Sequence, residues 1–310
     1  MKYFLIALGV LILVAGGAFL FMNQDDDTAL DVTPSEPQVA PPSDQTNIVI
    51  DGDDTDDDET DEDEPMEVIG SSVDGNDITA YHFGTGESEV LFVGGVHGGY
   101  SFNTSLLGYE LIDYLEDTPE AIPDGVKVTV IPVLNPDGLD AVVGSTGRFD
   151  AADADASEDT RIAGRFNANE VDLNRNFDCE WNETGTWQSR DVSGGSAPFS
   201  EPEAAALRDY VSANDIAAAV VYYSQAGGVY SATCDGEVSP EVATLTNLYA
   251  NAAGYDAFEE FDYYEITGDM VNWLTSTDVP AISVLLTDHE SPEWSKNRVG
   301  IEAVLEYFGE

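Results

Sequence analysis

Short apolar runs alternate with amphipathic segments through residues 66–310, and this alternation is the feature that most constrains the fold. Four apolar runs predict buried strands at Glu89–Val93, Lys127–Val133, Ala217–Tyr223 and Ala281–Leu286. Helical spacing predicts helices over Ser101–Glu116, Glu201–Ala213, Ser239–Ala253, Gly268–Ser276 and Ser295–Phe308. Strands that alternate with helices form mostly parallel sheets with helices on both faces. The sequence therefore predicts an α/β domain of three layers, α/β/α, around a mostly parallel mixed sheet.

The N-terminal segment predicts a membrane anchor. Residues Tyr3–Met22 form an apolar, uncharged run that is long enough for a helix to cross a bilayer. Lys2 precedes this run and Asp25–Asp27 follow it, so the N-terminus should lie inside and the rest on the extracytoplasmic side. The alternative is a signal peptide that is cleaved near Ala15–Ala18, which would release a secreted protein. We take residues 1–22 as the anchor or signal segment.

Residues 23–65 predict a disordered acidic linker. Proline, serine, threonine and carboxylates dominate this stretch, and such a composition cannot bury enough apolar surface to fold. The whole chain has a net charge of −51 with only 10 lysines and arginines. Because phosphate binding requires many cationic side chains, the composition excludes nucleic acid as a partner. The acidity fits either a saline habitat or a need for solubility.

Cys179 and Cys234 are the only cysteines in the chain. Two cysteines in an exported domain favour a single disulfide, with buried free thiols as the alternative. Two cysteines alone cannot form a structural zinc site.

A long stretch without an evident strand or helix, residues 135–200, interrupts the alternation. Loops of this length within compact domains usually carry function. The stretch begins with Asn135-Pro136-Asp137-Gly138, which is typical of a turn, and it ends at Ser200, which is predicted to cap the next helix. It also contains Val171-Asp172-Leu173-Asn174-Arg175-Asn176-Phe177, in which an arginine fork suited to binding a carboxylate stands in an otherwise acidic chain.

Five motifs occur in a characteristic order. They are Gly94–Gly99 (with His97), Asn135–Gly138, Val171–Phe177, Pro198–Glu203 and Pro280–His289. In order, spacing and content they resemble the M14 zinc metallocarboxypeptidases, and the resemblance covers nearly all of residues 67–310. It implies the zinc-carboxypeptidase fold. It also implies a zinc ion held by two histidines and a glutamate, a glutamate base, and arginines that bind the substrate carboxylate and the developing oxyanion.

The metal and catalytic positions implied by this resemblance are mostly replaced. The first histidine matches His97, but the glutamate ligand, three or four residues later, falls on Tyr100 or Ser101. The second histidine falls on Tyr223, or on Val221 if the register is shifted, and the glutamate base falls on Leu285. Since a catalytic zinc needs three protein ligands and the reaction needs a base, we expect zinc to be absent or weakly held.

The substrate-binding positions are better kept. Asn174 and Arg175 match the family's carboxylate clamp, Arg165 matches the oxyanion arginine with Arg161 as the alternative, and Tyr264 matches the tyrosine that covers the substrate.

Four alternative interpretations remain open for individual side chains. They are a structural role for His97, a buried ion pair for Arg175, metal binding by Tyr223 as a phenolate, and a different metal site formed by His289 with Asp288 or Glu290.

The sequence favours a non-catalytic domain that binds a C-terminal carboxylate of a peptide or of a peptidoglycan-type tail. The first alternative is an active zinc metallocarboxypeptidase with rearranged ligands. The second is a structural surface protein in which the site is vestigial.

Overall fold

A computed structural model describes residues 65–154, 156–234 and 236–309. The predicted anchor (1–22) and nearly all of the predicted linker (23–65) lie outside these residues. Within the described part of the chain, no helix is both long and apolar enough to cross a membrane.

An eight-stranded mixed sheet forms the centre of the domain, with the strand order β1-β2-β4-β3-β7-β10-β8-β9. The strands of this sheet are β1 (Met66–Ser71), β2 (Asp77–Phe83), β3 (Ser88–Val93), β4 (Val126–Ile131), β7 (Ile216–Ser224), β8 (Gly228–Ser231), β9 (Ala257–Phe258) and β10 (Ala281–Leu286). The four central strands, β4, β3, β7 and β10, run parallel. All four predicted strands are these central ones, because only strands buried on both faces are apolar along their whole length.

Helices cover both faces of the sheet. They are α1 (Phe102–Asp117), α2 (Pro136–Val143), α3 (Glu158–Ala163), α4 (Pro202–Ala213), α5 (Pro240–Ala253), α6 (Met270–Ser276) and α7 (Trp294–Phe308). On one face, α1, α5 and α7 pack on alternate strand residues such as Phe92 and Val220. On the other, α4 and α6 pack on the intervening residues, such as Leu91 and Val221. The predicted three-layer α/β/α fold with a mixed sheet is confirmed.

The outer strands were not predicted, because their sequences lack a continuous apolar run. In β2 only Ile78 and Ala80 are buried, in the alternation of a strand with one solvated side. In β1, the edge strand, no residue is fully buried. The strands β8 and β9 are only four and two residues long. These strands extend the parallel core at both edges and make the sheet mixed.

The long stretch 135–200 is more regular than the sequence suggested. The prediction that Asn135–Gly138 is a simple turn is wrong. The Asn135 side chain accepts a hydrogen bond from the Gly138 amide, Pro136 occupies the first turn, and α2 begins here. Farther on lie α3 and a hairpin of β5 (Thr184–Trp187) and β6 (Arg190–Ser193). The predicted cap at Ser200 is also wrong, since Glu201 is the residue that precedes α4.

The predicted disulfide is confirmed, because Cys179 and Cys234 are bonded and close a loop with a sequence separation of 55 residues. Cys179 follows the Asn174-Arg175 motif closely, and Cys234 follows β8. The bond therefore links the motif to the segment that follows β8.

We expect the disulfide to stabilise the domain by about 4 kcal/mol, since cross-linking a loop of this length restricts the unfolded chain. Urea titration of the full chain with Cys179→Ala and Cys234→Ala should show this loss in the free energy of unfolding. A reducing agent should lower the stability of the parent protein and leave that of the double variant unchanged. Equal stability of the parent and the double variant would contradict the expectation.

Candidate carboxylate-binding site

A cavity of about 880 Å³ opens at the carboxyl ends of the parallel strands. His97 follows β3, Tyr223 lies near the end of β7, and Leu285 lies near the end of β10. All three side chains line the cavity. Tyr223 and Leu285 are direct partners in the β7–β10 ladder, so they lie side by side. Ligands of open α/β sheets usually bind at this end of the strands.

His97 belongs to a buried charged group with Asp172 and Arg165. Its Nε2 lies 3.7 Å from Oδ1 of Asp172, and the other carboxylate oxygen accepts hydrogen bonds from Nε and Nη2 of Arg165 at 2.9 and 2.8 Å. Burial alone would raise the pKa of Asp172, but Arg165, Arg175 and His97 outweigh it and lower that pKa. Burial, and next the Arg165 guanidinium, hold the pKa of His97 well below its ordinary value. At neutral pH the group is a neutral imidazole beside a buried ion pair.

Aromatic rings surround the Arg165 guanidinium. Its Cζ lies 4.4 Å from the ring centroid of Trp187 and 5.8 Å from that of Tyr100. Tyr100 in turn contacts Trp187 edge to face at 5.0 Å and His289 at 4.4 Å. Arg165 lines the cavity while two of its nitrogens are bonded to Asp172, and its role in binding substrate stays a prediction.

Arg175 is buried and held by neutral groups. Its Nε and Nη2 donate to the Thr186 carbonyl at 3.1 and 2.7 Å, and its Nη1 donates to the Asn174 carbonyl at 2.6 Å. It takes part in no ion pair within the described residues. A side chain at Gly185 or Gly268 would collide with Arg175. The alternative that Arg175 serves as a buried ion pair therefore finds no carboxylate partner in the described chain.

Asn174 is fixed by three hydrogen bonds. Its Oδ1 accepts from the Tyr223 hydroxyl at 3.1 Å and from the Met270 amide at 3.2 Å, and its Nδ2 donates to Asp269 at 2.7 Å. Asn174 lines the cavity, and the second N–H of its side-chain amide has no partner among the described residues. Asp269 is the N-cap of α6, and burial raises its pKa.

The residues present do not fit a zinc ion of the usual kind. Three residues after His97, Tyr100 lines the cavity, whereas Ser101, four residues after it, is 1% exposed and does not. Burial first, and then Asp269, hold the pKa of Tyr223 well above its ordinary value, so its hydroxyl stays protonated and makes a poor metal ligand. No three His, Cys, Asp or Glu side chains of the described residues are arranged to hold a metal.

The alternative metal site around His289 does not assemble. Asp288 accepts hydrogen bonds from the amides of Glu290 and Ser291, and Glu290 pairs with Arg161 at 3.1 Å. Of Asp288, His289 and Glu290, only His289 lines the cavity. Burial is the largest cause that lowers the pKa of His289, to about 4.

Of the remaining predicted residues, Tyr264 lines the cavity, whereas Arg161 and Val221 do not. Tyr264 lines the cavity with its ring centroid 5.9 Å from the Arg175 guanidinium, which places it over the predicted clamp. Arg161, the alternative oxyanion arginine, is bound to Glu290 and does not line the cavity. Val221, the alternative position for the second histidine, is buried in the core and does not line it either.

Sequence reasoning missed several residues that form the site. Asp172 is the counter-ion of Arg165, the Thr186 carbonyl holds Arg175, and Asp269 orients Asn174. The only available signals were the position of Asp172 within the arginine motif and that of Asp269 at the start of a helix.

Comparisons with known proteins identify the family of the chain. The chain matches the family of zinc carboxypeptidases, peptidase M14, over residues 62–292. It is 25% identical over 216 residues to gamma-D-glutamyl-L-diamino acid endopeptidase 1 of Lysinibacillus sphaericus. The aligned residues cover 63% of this chain and 54% of that protein. The chain therefore spans about half the length of this relative.

Two solved structures have similar folds. Carboxypeptidase A from Helicoverpa armigera superimposes with a TM-score of 0.58 at 17% identity, over 79% of this chain and 67% of the other. The murein-tripeptide amidase MpaA from Escherichia coli O157 superimposes with a TM-score of 0.54 at 21% identity, over 77% of this chain and 90% of the other. The family match spans most of the chain, and the protein is therefore a member of the M14 zinc carboxypeptidase family.

Proposed function

We propose that this domain binds the C-terminal carboxylate of a peptide or a peptidoglycan-type tail and does not hydrolyse it. The observation that carries the proposal is Arg175, a buried guanidinium that takes part in no ion pair within the described residues. A buried charge is costly unless it is paired, so a ligand carboxylate is its natural partner.

The hydrogen bonds of Arg175 support this role. A guanidinium has five N–H groups, and carbonyl oxygens of Thr186 and Asn174 accept from three of them. The remaining two N–H groups belong to Nη1 and Nη2 and suit a bidentate carboxylate. Asn174, the preceding residue in the chain, has a second amide N–H without a described partner, and the Tyr264 ring lies over the guanidinium.

The positions at which the family resemblance implies a base and two of the zinc ligands carry other side chains. A water molecule that attacks a peptide bond needs a base within hydrogen-bond reach, and Leu285 occupies the expected position. Loss of a general base alone typically lowers the rate by about 10²–10⁴-fold. Tyr100 and Tyr223 stand where two of the three zinc ligands are expected, and both side chains are neutral. An active enzyme with rearranged ligands is the alternative that the experiments below test.

The names of two similar proteins suggest the kind of tail. One is described as acting on gamma-D-glutamyl-L-diamino acid linkages and the other on murein tripeptide. We also propose that the N-terminal apolar run anchors this domain on the extracytoplasmic side of a membrane, where such tails occur. Protease accessibility of the domain in intact cells tests this location.

Replacing Arg175 with alanine should weaken the binding of a carboxylate tail by at least about 30-fold, because removal of one partner of a buried charged contact costs about 2 kcal/mol or more. The measurement is titration calorimetry of the full chain with N-acetyl-Ala-Ala-norleucine. The matched amide, which lacks the terminal carboxylate, should bind the parent protein as weakly as the acid binds the variant.

Arg148→Ala is the control, since it removes the same charge from an exposed pair with Asp113 outside the cavity. It should bind the peptide as the parent does. Absence of binding by the parent would support a purely structural role. Release of free norleucine that a chelator abolishes would establish an active metallopeptidase in place of the proposed function.

Restoring the lost ligands and base should create a metal site. We expect the triple variant Tyr100→Glu, Tyr223→His and Leu285→Glu to bind about one equivalent of zinc, because it adds two donors and a base to His97 around one cavity. Metal analysis after dialysis, together with circular dichroism to confirm folding, is the measurement.

The matched control carries Ser101→Glu in place of Tyr100→Glu. Ser101 does not line the cavity, so this control should bind zinc more weakly. A folded triple variant that remains free of metal would contradict the assignment of these positions.

A further inference from the structure

Two triplets of the pattern Asn-X-Ser/Thr occur in the chain, at residues 103–105 and 182–184. This pattern is the acceptor for N-linked sugars, and in secreted proteins it lies on surface loops. A sugar chain is bulky and solvated, so the asparagine that carries it must reach solvent in the folded protein. The exposure of the two asparagines therefore decides which triplet is usable.

The triplet at residues 103–105 is inaccessible. Asn103 lies in the first turn of α1 and is 0% exposed. Its Nδ2, the atom to which a sugar would be attached, donates to the carbonyl oxygens of Asp288 at 2.7 Å and Ser291 at 3.1 Å. A sugar on this nitrogen would displace the segment that carries His289, so the described fold excludes it.

The triplet at residues 182–184 is accessible. All three of its residues are exposed, and they lie between Cys179 and the first residues of β5. The Nδ2 of Asn182 donates to the Glu180 carbonyl at 3.2 Å, and this hydrogen bond is itself exposed to solvent. The acceptor nitrogen can therefore be reached by an enzyme without unfolding the domain.

Hydrogen bonds fix the backbone beneath this triplet. The Glu183 carbonyl accepts from the Gly194 amide at 2.8 Å, and Thr184 pairs with Ser193 in the β5–β6 ladder. The indole N–H of Trp181 donates to the Gly194 carbonyl at 2.9 Å. The triplet thus has a defined place on the surface, at the base of the hairpin.

The disulfide is an independent indication of the compartment. Cys179, shortly before the triplet, is bonded to Cys234. Disulfides persist in oxidising compartments outside the cytoplasm, and the glycosylation triplet is used in secreted proteins. The two modifications therefore require the same location, which is the one proposed above from the N-terminal apolar run.

We propose that Asn182 carries an N-linked sugar chain. The inference goes beyond carboxylate binding, and it rests on the proposed extracytoplasmic location. The donor is a sugar chain that is linked through phosphate to a polyprenyl lipid, and the catalyst is a membrane-bound oligosaccharyltransferase. Nδ2 of Asn182 forms a bond to the anomeric carbon of the first sugar. The bond from this carbon to the phosphate oxygen breaks, the lipid phosphate leaves with the electron pair, and the amide loses one proton.

The sugar chain would stand outside the cavity. Asn182 does not line the cavity, whereas Trp187 and the hairpin turn Gln188–Ser189 do. The sugar chain therefore covers the base of the hairpin, whose Thr186 carbonyl holds Arg175, and leaves the carboxylate-binding end open. Because the two sites are separate, the peptide titrations described above do not decide whether Asn182 is modified.

Mass spectrometry of the full chain from the cells that produce it tests the proposal. Arg175 and Arg190 flank the triplet, so trypsin releases residues 176–190 as one peptide after reduction and alkylation of Cys179. We expect this peptide to exceed the mass of its sequence by whole sugar units, and fragmentation should assign the added mass to Asn182. A chymotryptic peptide that contains Asn103 should have the mass of its sequence. An unmodified peptide 176–190 would overturn the proposal.

Three variants produced in the same cells locate the sugar. Asn182→Gln and Thr184→Ala should each lose the added mass, since the first removes the acceptor and the second removes the hydroxyl of the triplet. Thr184→Ser keeps the hydroxyl and is the matched control, so it should retain the added mass. Added mass that survives in Asn182→Gln would contradict the proposal, because the sugar would then be attached to another residue.

Protease accessibility of the domain in intact cells separates a failure of the location from a failure of the modification. An accessible domain whose peptide 176–190 is unmodified would overturn the glycosylation of Asn182 and leave the location intact. An inaccessible, unmodified domain would overturn both.

Discussion

The buried ion pair between Arg165 and Asp172 is the contact on which the site depends. Asp172 is fully buried, and an isolated carboxylate there would be strongly disfavoured. The two hydrogen bonds from Arg165 keep Asp172 ionised. Asp172 also accepts a hydrogen bond from the backbone N–H of Asn174 at 3.1 Å, which helps to fix the turn that contains Arg175. Breaking this pair would therefore disturb the clamp as well as His97.

The charges in the cavity follow a consistent pattern. A zinc ion would bring two positive charges, and a glutamate ligand and a glutamate base would balance them. In this chain Tyr100, Tyr223 and Leu285 are all neutral, so the cavity without a metal contains no uncompensated carboxylate at these positions. Restoring only one glutamate would bury an unpaired negative charge, which is costly. Under the proposed function, the three replacements thus form one coherent change rather than three separate losses.

Much of the fold and part of the site could be predicted from the sequence. The central strands were found because they are buried on both faces, and the ends of neighbouring parallel strands bring His97, Tyr223 and Leu285 together. The outer strands and α2 were missed because half-exposed strands and short capped helices have weak patterns. The path of the backbone determines which groups bond to Arg175, and it determines that Tyr100, and not Ser101, lines the cavity. No local sequence pattern encodes this path.

The acidity of the chain limits how the proposed carboxylate site can work. A net charge of −51 repels anions over long distances, although salt at about 0.1 M screens this beyond roughly 10 Å. Arg175 is buried and takes part in no ion pair within the described residues, so its attraction for a ligand carboxylate acts at short range inside the cavity. Under the proposed function, the buried guanidinium would therefore determine the affinity, and the acidic surface would slow the approach of purely anionic tails.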